Sequence, residues 1–201
     1  VILLPLAVAA GIAAGACLGW IPGVLKVRLA VDEVVTPLML NTIVLLFTSY
    51  LVNQVIRDTS AYGAVSRMVA KSIWLPPMPG VPGATSGFLV AVVLALVTWV
   101  VLFRTEWGAQ LRAAGINLRF ANAVGVPANR RIISAMLVAG GLAGLAGALY
   151  VLGIGHRFEQ NFSPAYGLVG LTCALLARIH PIGALATALF YAMMLNGAAY
   201  M

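Results

Sequence analysis

The sequence predicts an all-α integral membrane protein, a polytopic helical bundle, and three observations carry that prediction. First, 62% of the 201 residues are hydrophobic and only 8% are charged, against about 25% charged in an ordinary soluble domain. Mean hydropathy is +1.03. Second, the charges are spaced so that apolar intervals of about 20 residues, the length a helix needs to cross a bilayer, lie between them. Third, those intervals lack the apolar–polar alternation of a membrane β-barrel. Soluble enzyme, disordered tail and disulfide-stapled secreted domain are excluded by the same arithmetic. The net charge of +7 does not point to nucleic acid, because the basic residues sit between apolar spans. Cys17 and Cys173 lie inside apolar runs and read as packing residues.

Five spanning helices and one shorter helix follow in order. Residues 1–25 and 34–56 carry no charge. Residues 72–103 are also uncharged, but Pro76, Pro77, Pro79 and Pro82 break the first part, so the span should begin near Ser86. Residues 132–156 and 179–201 are the last two clean intervals. Between them, 166–177 is too short to span comfortably after Pro164, which leaves crossing and a re-entrant course both open. The chain opens at Val1 inside an apolar run without a basic n-region or cleavage site, and reads as part of a longer protein rather than as a signal peptide. All of 1–201 is taken as one transmembrane domain.

Lys and Arg set the orientation. The 104–131 loop holds Arg104, Arg112, Arg119, Arg130 and Arg131, and alternation brings Lys26 and Arg28 to the same side. Arg57, Arg67, Lys71 and Arg157 fall opposite, so the 104–131 loop is expected to be cytoplasmic. Residues 53–85 then form an external loop, rich in Pro and Gly, able to cap the outer mouth of a pathway.

Small residues recur at helical spacing. Gly11, Gly15 and Gly19 line one face of the first helix, and Gly140, Gly144 and Ala148 one face of the fourth, with Gly141 and Gly147 beside them. In lipid such faces pack backbone to backbone, and helix packing is the expected role. Asn41 is an amide inside an apolar helix. It is expected to bond a neighbouring helix, with contact to a solute as the alternative. Asp32 and Glu33 precede that helix and favour its dipole.

Catalytic motifs are lacking. No GxxxxGK[ST] string, HExxH pair or Ser–His or Asp–Asp intramembrane pair occurs, so no catalytic, metal or cofactor residue is assigned. His156 and His180 read as interfacial polar residues. Any energy source must lie in another subunit.

The most informative stretch is RTEWGAQLRAAGINLRFANAVGVPANRR at 104–131. Thr105 can cap a short helix, Glu106 suits its first turn, and Gly115 can end it. That makes either a docking element for a soluble partner or a basic loop that only enforces topology. The stretch resembles the permease subunits of bacterial ABC importers for simple sugars, nucleosides and branched-chain amino acids, whose pattern is RTxxGxxLRAxGxNxxAAxxxGI followed by SGxxAGLAGA. Arg104, Thr105, Gly108, Leu111, Arg112, Ala113, Gly115, Asn117, Ala121 and Gly125 match it, and Ala143 to Ala148 follow the second string. VDEVVTPLMLNTIV at 31–44 and YGLVGLTCALLARIHPIG at 166–183 resemble segments of the nucleoside-type branch. Leu118, Phe120, Val169 and Ala177 depart from the pattern, so no charged contact is carried to the short helix.

The resemblance implies further helices before Val1 and after Met201 in a complete member. It also implies a second permease subunit, identical or paralogous, two ATPase subunits on the cytoplasmic side, and a periplasmic or lipid-anchored binding protein. The ATPase contact would fall on 104–131, with Arg112, Gly115, Asn117 and Gly125 at its centre. The protein itself would be no enzyme, and it would sit in the cytoplasmic membrane and import a small polar solute, a nucleoside before a sugar. A passive channel for a small neutral solute and an assembly subunit of a membrane complex are the alternatives from other classes.

Overall fold

The computed structural model describes residues 3–32, 34–56, 65–69, 74–76, 85–159 and 166–199. Much of 53–85, together with Glu33, Arg57, Lys71 and Pro164, lies outside the described residues. Eight α-helices run in order: α1 Leu3–Leu29, α2 Val35–Gln54, α3 Gly87–Arg104, α4 Glu106–Ile116, α5 Leu118–Ala123, α6 Ala128–Tyr150, α7 Tyr166–Leu176 and α8 Pro181–Ala199. Helix α6 continues as one π-helical turn, Val151–Gly155. Five of these helices are long and apolar enough to cross a membrane: α1, α2, α3, α6 with its extension, and α8. The expected start near Ser86 agrees with α3, while α6 begins four residues earlier than its uncharged interval and takes Arg130 and Arg131 into its first turns.

The centre of the bundle is an antiparallel seam between α1 and α6. Gly11 faces Gly144 and Ala148, Gly15 faces Gly140 and Gly144, and Gly19 faces Met136 and Gly140. A Cβ added at Gly15 would stand 2.8 Å from the Gly144 Cα, and one at Gly140 would stand 2.9 Å from the Gly19 Cα. Neither methyl fits without moving backbone, so dispersion between main chains holds this pair, as expected where lipid removes the hydrophobic force. A Cβ added at Gly141 would meet the Ile12 side chain at 3.5 Å, and Gly147 lies off the seam with nothing within 4 Å of an added Cβ.

At the end opposite the 104–131 loop, the described parts of 65–85 rest on the C-terminus of α6. The last carbonyls of a helix lack intrahelical donors. Here Leu75 donates its N–H to the Leu152 carbonyl (3.1 Å), and the Thr85 hydroxyl donates to that of Gly153 (3.3 Å). Val65 bridges Glu159, and Trp74 stacks on His156 with ring centroids 3.8 Å apart.

Contacts at both ends decide the course of α7. Glu159 is at the end opposite the 104–131 loop, beside Val65. His180 is at the basic end, its ring centroid 5.4 Å from that of Phe103 in the last turn of α3. Helix α7 lies between these two ends, and its eleven residues supply about 16 Å of the path. This course sends α8 back toward the end opposite the loop and puts Arg178 on the basic side, which strengthens the charge asymmetry.

Candidate functional site

The basic end is built by a corner between α3 and α4. Thr105 is the N-cap of α4: its hydroxyl accepts from the Gly108 N–H at 3.3 Å and donates to the Val101 carbonyl at 2.6 Å. A Cβ at Gly108 would collide with the Leu102 and Val101 carbonyls, so glycine is what lets α4 fold against the end of α3. The Arg112 guanidinium donates to the Leu102 carbonyl and lies 4.9 Å over the Phe103 ring. Arg112 thus fastens α4 to α3 at the helix end where a cation also suits the dipole. Two side-chain bonds tie α4 to α6, Trp107 Nε1 to Ser134 Oγ at 3.2 Å and Arg131 Nε to Gln110 Oε1 at 2.7 Å.

Asn117 is the pivot between α4 and α5. Its backbone is extended, and its Oδ1 accepts from the Arg119 and Phe120 N–H groups at 3.0 and 3.1 Å. The sequence pointed to Gly115 as the end of α4. The structure ends the helix at Ile116, because the Asn117 cap of α5 pulls the chain into extended geometry there. Gly115 stands in open space. Gly125 has φ +84°, and the Val126 N–H reaches back to the Ala121 carbonyl, so α5 closes with a left-handed glycine cap. Ala114, Ala121 and Ala128 are buried beneath this corner.

The exposed surface of the corner sets two large apolar side chains among Arg112, Asn117 and Arg119. Ile116 is 87% exposed and Phe120 is 62% exposed, on an element that faces the basic end. Sequence reasoning took Phe120 only as a departure from a motif and passed over Ile116. Their signal was apolar residues flanked by Arg112 and Arg119 on short capped helices.

A second feature lies within the bundle. A cleft of about 550 Å³ opens between α1, α2 and α6, with Pro22, Pro37, Asn41, Ala139 and Ala143 in its wall. Pro22, Pro37 and Asn41 fall in the basic-end halves of their helices, Ala139 and Ala143 at and just beyond the middle of α6, and no charged side chain is among those lining it. Asn41 makes no side-chain hydrogen bond to a described residue. Above α2, Asp32 accepts from the Val34 and Val35 N–H groups at 2.7 and 3.4 Å. Those bonds, with the charge of Lys26, hold its carboxyl below the usual range. No group of three His, Cys, Asp or Glu among the described residues is placed to hold a metal.

Apolar crossings, a glycine seam and a capped corner at the basic end define a multi-pass helical membrane protein. The chain belongs to the family described as branched-chain amino acid transport system / permease component, which matches residues 1–201. It is 30% identical to the nucleoside ABC transporter permease protein NupB of Lactococcus lactis subsp. cremoris (strain MG1363), over 98% of this chain and 57% of that protein. It is 32% identical to the guanosine ABC transporter permease protein NupP of Bacillus subtilis (strain 168), over 90% of this chain and 53% of that protein. The glucose ABC transporter permease protein TsgB13 of Haloferax volcanii is 30% identical over 98% of this chain and 54% of its own length. The chain therefore spans about half the length of these relatives. No solved structure matches it.

Proposed function

We propose that the chain is the membrane-spanning part of an ATP-binding-cassette importer for a small polar solute, a nucleoside first and a simple sugar second. The observation that carries this reading is the similarity, over nearly the whole chain, to permeases named for nucleoside and guanosine transport. The corner of α4 and α5 is the docking element for the ATPase subunits. Ile116 and Phe120 supply apolar contact, since exposed apolar side chains on a water-facing element favour a partner's groove. Arg112, Asn117 and Gly125 act by holding that element in shape, and Gly115 leaves room for close approach.

Hydrolysis belongs to those partner subunits. A second permease subunit completes the pathway, and a binding protein delivers solute at the outer face. Because α4 is bonded to both α3 and α6, a push on the corner is passed to the helix that walls the cleft. That gives a two-state element biased from the ATPase side and from the solute side.

The test is uptake of labelled guanosine, adenosine and ribose by cells with and without the intact gene, with ATP depletion as a control. Loss of ATP-dependent nucleoside uptake is expected. Loss of ribose uptake alone would change the cargo. Uptake that persists under ATP depletion would favour a passive channel, and no change in any flux would favour an assembly subunit. In the full-length protein, Phe120→Asp should cut co-purification of the ATPase about tenfold while the permease still inserts.

A further inference from the structure

We infer that the cleft between α1, α2 and α6 is a solute site that reads a neutral hydrogen-bonding ligand through two polar groups, the Asn41 amide and the Leu18 carbonyl. This rests on the importer reading and names the residues that would meet its cargo. The second group belongs to the backbone. Pro22 has no N–H, so the Leu18 carbonyl, four residues earlier in α1, cannot make its helical hydrogen bond. Helix α1 nonetheless continues through Pro22 to Leu29. Within a membrane a carbonyl freed in this way must find another donor, from a neighbouring helix, a hydroxyl side chain, water or a bound molecule. A carbonyl in a helix points along the axis toward residue i+4, and both Leu18 and Pro22 line the cleft.

Of the other side chains in that wall, only Asn41 is polar, and it makes no side-chain hydrogen bond to a described residue. The cleft thus has in its wall a residue whose carbonyl lacks the usual i+4 donor, Leu18 on α1, and a paired donor and acceptor, the Asn41 amide on α2, in surroundings where unmet polar groups are costly. Its volume of about 550 Å³ is within the range of about 300–1,000 Å³ found for small-molecule sites, which are mainly apolar with a few convergent polar groups. The absence of charged lining residues suits an uncharged ligand, since a fixed charge would need a counter-ion there. A nucleoside fits this description: its base edge offers adjacent donor and acceptor groups, and its hydroxyls can donate to a carbonyl.

Kinetics of the complete importer in proteoliposomes test it, with Asn41→Leu, Asn41→Gln and Pro22→Ala compared with wild type. Asn41→Leu removes the amide at nearly constant volume and should raise KM for guanosine several-fold to about tenfold, the worth of one or two hydrogen bonds in a dry site. Asn41→Gln keeps the amide and should recover part of that loss. Pro22→Ala returns a donor to the Leu18 carbonyl, so it should leave assembly intact while also raising KM. This second variant keeps the test decisive if Asn41→Leu assembles poorly. Unchanged KM in both altered cleft variants, with any loss confined to the amount of assembled complex or to Vmax, would overturn the site and make Asn41 a packing residue. If wild-type importer itself shows no ATP-driven guanosine uptake, the importer reading fails first. Guanosine protection of Ala139→Cys, in a background with Cys17→Ser and Cys173→Ser, from a membrane-permeant thiol reagent then reports on the cleft alone, and lack of protection would overturn the site.

Discussion

Helix α6 carries two stripes of small residues, and the molecule treats them in opposite ways. Gly140 and Gly144 press against α1 so closely that an added Cβ meets main chain, whereas Ala139 and Ala143, one residue away on each turn, line open space beside α2. A stripe of small residues at a spacing of four allows close approach but does not require it. What separates the stripes is the partner. Helix α1 answers with Gly11, Gly15 and Gly19, and α2 faces the cleft with Leu40, Asn41 and Val44, too bulky to close on α6.

The largest effect should come from the seam. Gly15→Val would drive a branched side chain into the Gly140 and Gly144 backbone, at a cost of at least about 3 kcal/mol. Little folded protein should survive detergent extraction and size-exclusion chromatography, and a normal yield would break the contrast. Gly147→Ala sharpens it from the other side. This glycine is on the same helix but has open space at its Cβ, so alanine should leave yield unchanged or raise stability by about 0.5–1 kcal/mol. A marked loss in thermal stability would mean that the seam extends further than the geometry places it.

The smallest effect concerns the start of α2, which sets one wall of the cleft. The Asp32 carboxyl is held low by the Val34 and Val35 N–H groups and by Lys26. A depressed folded pKa contributes stability above the ordinary aspartate value of about 3.9, and that contribution is lost as pH falls through the lower folded value. The Val34 and Val35 amide resonances should therefore titrate with a midpoint below about 3.9. A midpoint at or above it would show that the cap does not form.

Much of this fold was legible in the sequence because membrane crossing depends on local composition. Uncharged intervals located α1, α2, α3, α6 and α8 to within a few residues, and Thr105 announced the start of α4. Pairing was not legible. The glycine faces of α1 and α6 are separated by more than a hundred residues, and periodicity says which face packs without saying against what. The course of α7 was hidden for the same reason, since it is fixed by His180 docking on Phe103 rather than by length. At the corner, the motif residues were visible, but their tasks were not. Arg112 reaches back to α3, Asn117 caps α5, and the exposed surface belongs to Ile116 and Phe120. In the cleft, Asn41 stood out as a lone amide, whereas the Leu18 carbonyl is a consequence of Pro22 that only the uninterrupted helix makes plain.

The most direct test sets neighbouring residues against each other. Guanosine uptake by the complete importer, divided by the amount of assembled complex, should be compared for Ala139→Leu and Gly140→Leu. The account predicts that Ala139→Leu assembles normally and loses most of its uptake per complex, because its side chain fills the cleft. Gly140→Leu should instead fail to assemble. Normal uptake per complex by Ala139→Leu, or normal assembly of Gly140→Leu, would contradict it.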